Sequence, residues 1–283
     1  MMKYIKLIYV FTLSASVLVF LYARFPSENV REYLMTTFIR VLPGYQLQIG
    51  DADPAFPIAL DMSNVSIFST NRELATADTV KVGLPISTLF SSHNALRINS
   101  KMYGGTVSGT ADLADETTGR TVSGEFEVSG IHIDRIPSIQ STIRSNISGT
   151  LNGIIVYNSG NPDHFADFTF NLTDTTIPIA LSFIRLGDIT FNTVDIAGSL
   201  ANRNLSIGKC AFQGMQMDGE LTGGITLSEP FSKSRLNLSG VVTPRHDFLK
   251  RLAGNIIPVQ KLRQGGVPFT ITGTYEQPEV FFR

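Results

Sequence analysis

From Tyr45 to the C-terminus, apolar residues recur at every second position, and that period leaves the chain little choice but β-structure. Leu60 and Met62, Val65 and Ile67, Leu96 and Ile98, Phe126 and Val128, Phe168 and Phe170, Ile189 and Phe191, Leu236 and Leu238, and Phe269 and Ile271 each alternate with polar neighbours. A strand of that pattern buries one face and solvates the other, as half-covered antiparallel sheets do. Turn-forming clusters separate the runs: Gly104-Gly105, Asn158 to Pro162, Asn202-Arg203-Asn204 and Gly223-Gly224. The spacing predicts roughly a dozen or more strands. The expected fold class is mainly β, with one large antiparallel sheet and no composition shift that would mark a second domain.

Glycine adds a constraint on shape. Tyr103 to Gly109, Ser148 to Gly153 and Asp218 to Gly224 form a loose repeat that sets glycine inside strands. Glycine at such positions marks bends, bulges or close backbone approach. The expectation is a strongly curved sheet, a half-barrel or a folded-over sheet, in place of a flat sandwich. Two or three short helices interrupt it. Ile133 to Arg144 places Ile136, Ile139 and Ile143 on one face, and His246 to Arg263 is helical in pattern but broken at Gly254 and Pro258. Ile179 to Leu186 is a weaker helical candidate.

The N-terminus follows different rules. Lys3 and Lys6 precede an uncharged run from Leu7 to Ala23, closed by Arg24. That run of roughly 17 residues would reach about 26 Å as a helix, the short end of what spans a bilayer. A cleaved signal peptide fits less well, because cleavage after Ala23 would put Leu21 where a small residue belongs. The reading is residues 1–6 in the cytoplasm, a transmembrane anchor at 7–23, and the remainder outside the cytoplasm. Residues 27–43 then carry Val30, Tyr33, Leu34, Phe38 and Val41 at helical spacing, with Ser27 as the expected N-cap and Pro43-Gly44 as the stop. This amphipathic helix is expected either to cap a sheet end or to lie on the bilayer.

Composition excludes more than it selects. Lys and Arg number 23 against 24 Asp and Glu, spread evenly, so no basic stripe offers a nucleic-acid surface. The single cysteine, Cys210, rules out an internal disulfide framework and is expected as a small buried strand residue. His93, His132, His164 and His246 lack metal-ligand spacing, and Asp51-x-Asp53 reads as a turn before Pro54. Five Asn-x-Ser/Thr sequons, at Asn64, Asn146, Asn171, Asn204 and Asn237, read as polar strand faces. There is no nucleophile elbow or phosphate-binding loop, so the expected protein is not an enzyme, with no catalytic, cofactor-binding or metal residues.

The stretch from Tyr45-Gln46-Leu47-Gln48-Ile49-Gly50 through Leu96 to Gly109 resembles the opening of AsmA-like envelope proteins, where a small-Gly-Gly turn follows a leucine-rich segment like Leu84 to Phe90. The ending, Gly265-Gly266-Val267-Pro268-Phe269-Thr270-Ile271-Thr272-Gly273, resembles the C-terminus of the type II secretion system protein N family (GspN). The resemblance runs over nearly the whole chain on short, glycine-weighted motifs. It implies an inner-membrane protein whose residues 45–283 form a periplasmic β domain. It also implies an accessory or structural subunit of a type II secretion system, acting through contacts with other envelope proteins. The AsmA-like relatives imply an alternative, phospholipid carried or sensed in an apolar groove for outer-membrane biogenesis.

Overall fold

Backbone pairing joins the alternating runs into one sheet of 15 strands in the computed structural model. The structure describes residues 24–69, 72–85, 94–116, 119–143, 147–161, 165–181, 184–229, 231–245 and 266–282, with Thr12, Ser16, Phe20, Tyr22 and Thr88 as isolated positions. The strands are β1 (Tyr45–Gln48), β2 (Asp51–Ala55), β3 (Ala59–Ser69), β4 (Arg72–Gly83), β5 (Asn94–Met102), β6 (Gly105–Glu116), β7 (Gly119–His132) and β8 (Ser148–Asn158). They continue as β9 (Ala166–Leu181), β10 (Ile184–Ala201), β11 (Asn204–Gly214), β12 (Met217–Thr226), β13 (Arg235–Pro244), β14 (Val267–Gly273) and β15 (Pro278–Phe282).

From β3 onward each strand pairs antiparallel with the next in sequence, so spatial order repeats chain order. β1 and β2 share the outer side of β3, β1 along Ser66 to Ser69 and β2 along Ala59 to Ser63. They act as one edge strand interrupted at Ile49-Gly50. At the far end β15 pairs with β14. The sheet is open, and its two edges lie about 60 Å apart measured along it. Asp51 and Asp53 stand within β2, which corrects the expected turn: Pro54 is tolerated in a strand because β2 is at an edge.

Helix α1 (Ser27–Val41) lies along this edge. Ser27 is not its N-cap. Pro26 holds that position without a side-chain cap, and the Ser27 hydroxyl reaches Asp53 Oδ1 at 3.1 Å. Arg31 donates to the Gly50 carbonyl at 2.8 Å, satisfying the backbone where the edge strand breaks. Leu34 and Met35 pack against Ile49, Ala52, Met62, Val65 and Ala77. Glu28, Asn29, Glu32, Thr36 and Arg40 face solvent, and so do Tyr33, Ile39 and Val41, so the outer surface is mixed. The packing of Leu34 and Met35 is what covers the sheet edge.

Ile133 to Arg144 resolves into a 3-10 turn at Ile133–Arg135 and a short helix α2 (Pro137–Ile143), as Pro137 opens the second segment. The described part of the Ile179 to Leu186 candidate, 179–181 and 184–186, is strand and not helix. Residues 179–181 end β9 and 184–186 begin β10, because pairing between the two long strands overrides a locally helix-compatible spacing. The expected helix at 246–263 lies outside the described residues. So do the segment 1–6 and the anchor at 7–23, except Thr12, Ser16, Phe20 and Tyr22, which are helical. Among the described residues no helix is long and apolar enough to cross a membrane.

Candidate functional site: an uncharged sheet face

Cα partners in a sheet point to the same face, so the register can be followed from one edge to the other. Beginning on β2, one row runs Pro54, Leu60, Val82, Ile98, Gly109, Phe126, Ile155, Phe168, Gly198, Ile207, Gly223, Leu238, Ile271 and Val280. Every member is apolar or glycine, and the row is unbroken to β15. Two positions along each strand, three on β11 where the register shifts between Ile207 and Cys210, lies a second unbroken row. It runs Ala52, Met62, Val80, Ser100, Val107, Val128, Gly153, Phe170, Ile196, Cys210, Leu221, Gly240, Phe269 and Phe282. Ser100 is its one polar member. Away from the strand tips this face carries no charged side chain.

Local backbone devices keep the rows intact. Met62 and Val65, three apart, would fall on opposite faces of a regular strand, yet both are buried. Between them Asn64 takes φ 49°, and Asp174 does the same at φ 51° between Leu172 and Thr175. Gly130, at φ 68°, sits in the register shift that returns Ile131 to the face of Val128. Each irregularity restores the apolar parity that a three-residue step would have reversed.

Six glycines on this face have a specific use. Gly109, Gly153, Gly198, Gly219, Gly240 and Gly214 are register partners of Phe126, Phe170, Phe168, Phe212, Phe269 and Phe191. A Cβ on Gly198 would lie 2.7 Å from Phe168 Cζ, and one on Gly219 2.5 Å from Phe212 Cζ. The rings therefore occupy the space a side chain would have taken, which covers backbone that glycine leaves bare. Phe168 and Phe170 stack at 5.2 Å, and Phe191 meets Phe212 edge-on at 5.3 Å.

This face is only partly covered. Two separate clusters are buried among the described residues, one at β1 to β5 beneath α1 and one at β9 to β12 around Ile189, Phe191, Val194 and Cys210. Each draws on neighbouring elements. Between and beyond them, Ser100, Val128 and Leu238 of the rows are buried as well. Most other members keep part of their surface accessible, and Val280 and Phe282 are exposed. A domain of this size ordinarily has one contiguous core. α2, which follows β7, reaches β4 and is held by Gln140 donating to the Ile133 and Ile147 carbonyls.

The opposite face is polar. The register row Asp53, Asp61, Lys81, Asn99, Ser108 and Glu127 alternates with the apolar rows. A shallow depression there is bounded by Arg97, Asn99, Ser108, Thr110, Glu125 and Glu127. Exposed ion pairs, Arg245 with Asp218 at 3.1 Å and Arg203 with Glu229 at 3.3 Å, contribute little stability.

The residues weighed from the sequence scatter. His132 ends β7, while His93, His164 and His246 lie outside the described residues. Among the described residues no group of His, Cys, Asp and Glu could hold a metal ion. Cys210 is buried in β11, where desolvation pushes its thiol pKa up. Of the sequon residues, Asn171 donates to Asp195 at 2.7 Å and Asn204 accepts from Thr226 at 3.0 Å, both exposed; Asn146 is outside the described residues. The sequence pattern missed the rows themselves, because alternation shows that an apolar face exists without showing how successive strands align. No family model, curated protein or solved structure matches this chain.

Proposed function

We propose that the chain is a non-catalytic lipid-handling protein whose uncharged sheet face holds acyl chains. One observation carries this reading: two unbroken apolar rows run from β2 to β15, and most of their members keep part of their surface accessible. A continuous apolar surface of that width costs free energy in water at about 25 cal/mol per Å². Monomers rarely expose more than a few hundred Å² of it unless something binds there. Glycines on the same face, crowded against neighbouring strands, favour a sheet that curls around it into a trough. This agrees with the AsmA-like resemblance. An anchor at residues 7–23 would hold the trough outside the cytoplasm, with the α1-covered edge nearest the membrane. The test is native mass spectrometry and lipid extraction of the full chain purified in mild detergent. Co-purifying phospholipid is expected, and a lipid-free protein would overturn the reading.

A second reading, an accessory subunit of a type II secretion apparatus working through protein contacts, is favoured by the exposed strand β15. On that reading, deleting the gene strands secreted enzymes in the periplasm. On the lipid reading, secretion continues and the outer-membrane barrier weakens.

A further inference from the structure

The two edges of the sheet are treated in opposite ways. The first edge is broken at Ile49-Gly50, carries Asp51, Asp53 and Pro54, and is covered by α1. These are devices that stop a strand from pairing with another chain. The last edge has only Pro278 and Glu279 of this kind, with no break and no covering helix among the described residues. β15 pairs with β14 and, among the described residues, with nothing else. Its three consecutive apolar residues are exposed: Val280 at 37%, Phe281 at 53% and Phe282 at 42%.

The backbone of β15 also points outward in a usable pattern. Thr274 N–H donates to the Gln277 carbonyl at 3.2 Å, which fixes the alternation of the hairpin. Val280 and Phe282 then turn their N–H and C=O groups away from β14. Pro278, which has no N–H, occupies a position where one would otherwise point into solvent.

We propose that β15 pairs antiparallel with β15 of a second copy, about a two-fold axis at Val280, so that the two sheets and their apolar faces become continuous. Three features select a second copy. Among the described residues only one sheet edge is open, so a head-to-tail chain is blocked and association closes at two. Centring the axis on Val280 sets Glu279 opposite Phe281, whereas centring it on Glu279 would oppose two carboxylates. Both apolar rows reach this edge, at Val280 and Phe282, so the pairing covers apolar surface and forms about four backbone hydrogen bonds. The inference stands independently of what the face carries.

The test uses the full chain in mild detergent, in a Cys210→Ala background. Two Val280→Cys residues facing each other across the axis would lie within disulfide reach. Mild oxidation should turn this variant into a covalent dimer. Thr222→Cys, exposed in mid-sheet, should stay monomeric. A Val280→Pro variant removes the outward N–H, and its mass in native spectrometry should shift from twice the chain mass to the chain mass. An unmodified chain that is monomeric at all concentrations, or equal crosslinking at positions 222 and 280, would overturn the proposal. A dimer that survives Val280→Pro and does not crosslink at 280 would place the interface elsewhere and also overturn it.

Discussion

The ring of Phe170 lies over Gly153, its register partner on the adjacent strand, so closely that a Cβ on Gly153 would sit 2.6 Å from Phe170 Cδ1. The same Cβ would meet the Thr169 carbonyl oxygen. Gly153→Ala should therefore cost about 1–3 kcal/mol, as overpacking does. Gly208→Ala is the control, because its Cβ would meet nothing nearer than 3.8 Å. That change should be neutral or stabilising by up to about 1 kcal/mol. Urea midpoints of the two variants check the contrast, and equal midpoints would remove the close-approach account.

Ile154 and Ile155 are neighbours on opposite faces of β8. Ile154 is exposed on the polar face, whereas Ile155 belongs to the first apolar row. Ile154→Glu should change stability by less than about 0.5 kcal/mol and leave lipid content unchanged. Ile155→Glu puts a charge into the row, which an apolar surface disfavours strongly. Lipid bound per folded chain, measured by extraction and mass spectrometry, should fall for Ile155→Glu alone.

Alkaline pH should destabilise the protein. Burial raises the pKa of Cys210 and of Tyr275. Burial also raises Tyr103, helped by the charge on Glu73 and opposed by the Thr76 N–H that its hydroxyl accepts. All three groups are neutral when protonated, so the folded state holds its protons at pH values where the unfolded chain begins to ionise. Their contribution is whole below the unfolded pKa values, about 8.5 for Cys and 10 for Tyr, and is lost as pH rises past them. The urea midpoint should stay level up to about pH 8 and fall above it. Cys210→Ala should delay the onset. A midpoint that rises through this range would contradict the sign.

The cover that α1 gives the first edge rests on Leu34 and Met35, with Arg31 on the Gly50 carbonyl. Replacing both apolar residues by Ala should loosen the helix by about 1–2 kcal/mol per residue. Amide exchange in β1 and β2 should accelerate by at least about tenfold, with β10 to β12 unaffected. Uniform acceleration across the sheet would mean that α1 supports the whole fold and not only its edge.

Much of this architecture was legible in the alternation of residues such as Phe168, Phe170 and Leu172, which settles strand and facing together. The three-residue steps were harder. Met62 and Val65 share a face only because Asn64 takes a left-handed conformation, and nothing local in the sequence demands that. The glycine repeats were visible as unusual, but their pairing with phenylalanines needs the register, a tertiary fact. Ile179 to Leu186 misled because its spacing suits a helix as well as two strand ends. Whether the apolar face is covered depends on what packs across it, and periodicity within one strand carries no information about that.

Because each strand touches little besides its sequence neighbours, the sheet is close to a one-dimensional system, like a row of stacked repeats. Damage at one hairpin should stay local, and the N-terminal hairpins can form while the rest of the chain is still being synthesised. Among the described residues, contacts that reach past a neighbouring strand are few, α2 on β4 being one of them. Adding or removing a hairpin between two existing ones would lengthen or shorten the apolar rows while leaving both ends as they are. The reach of this protein is thus set by how many hairpins its gene encodes.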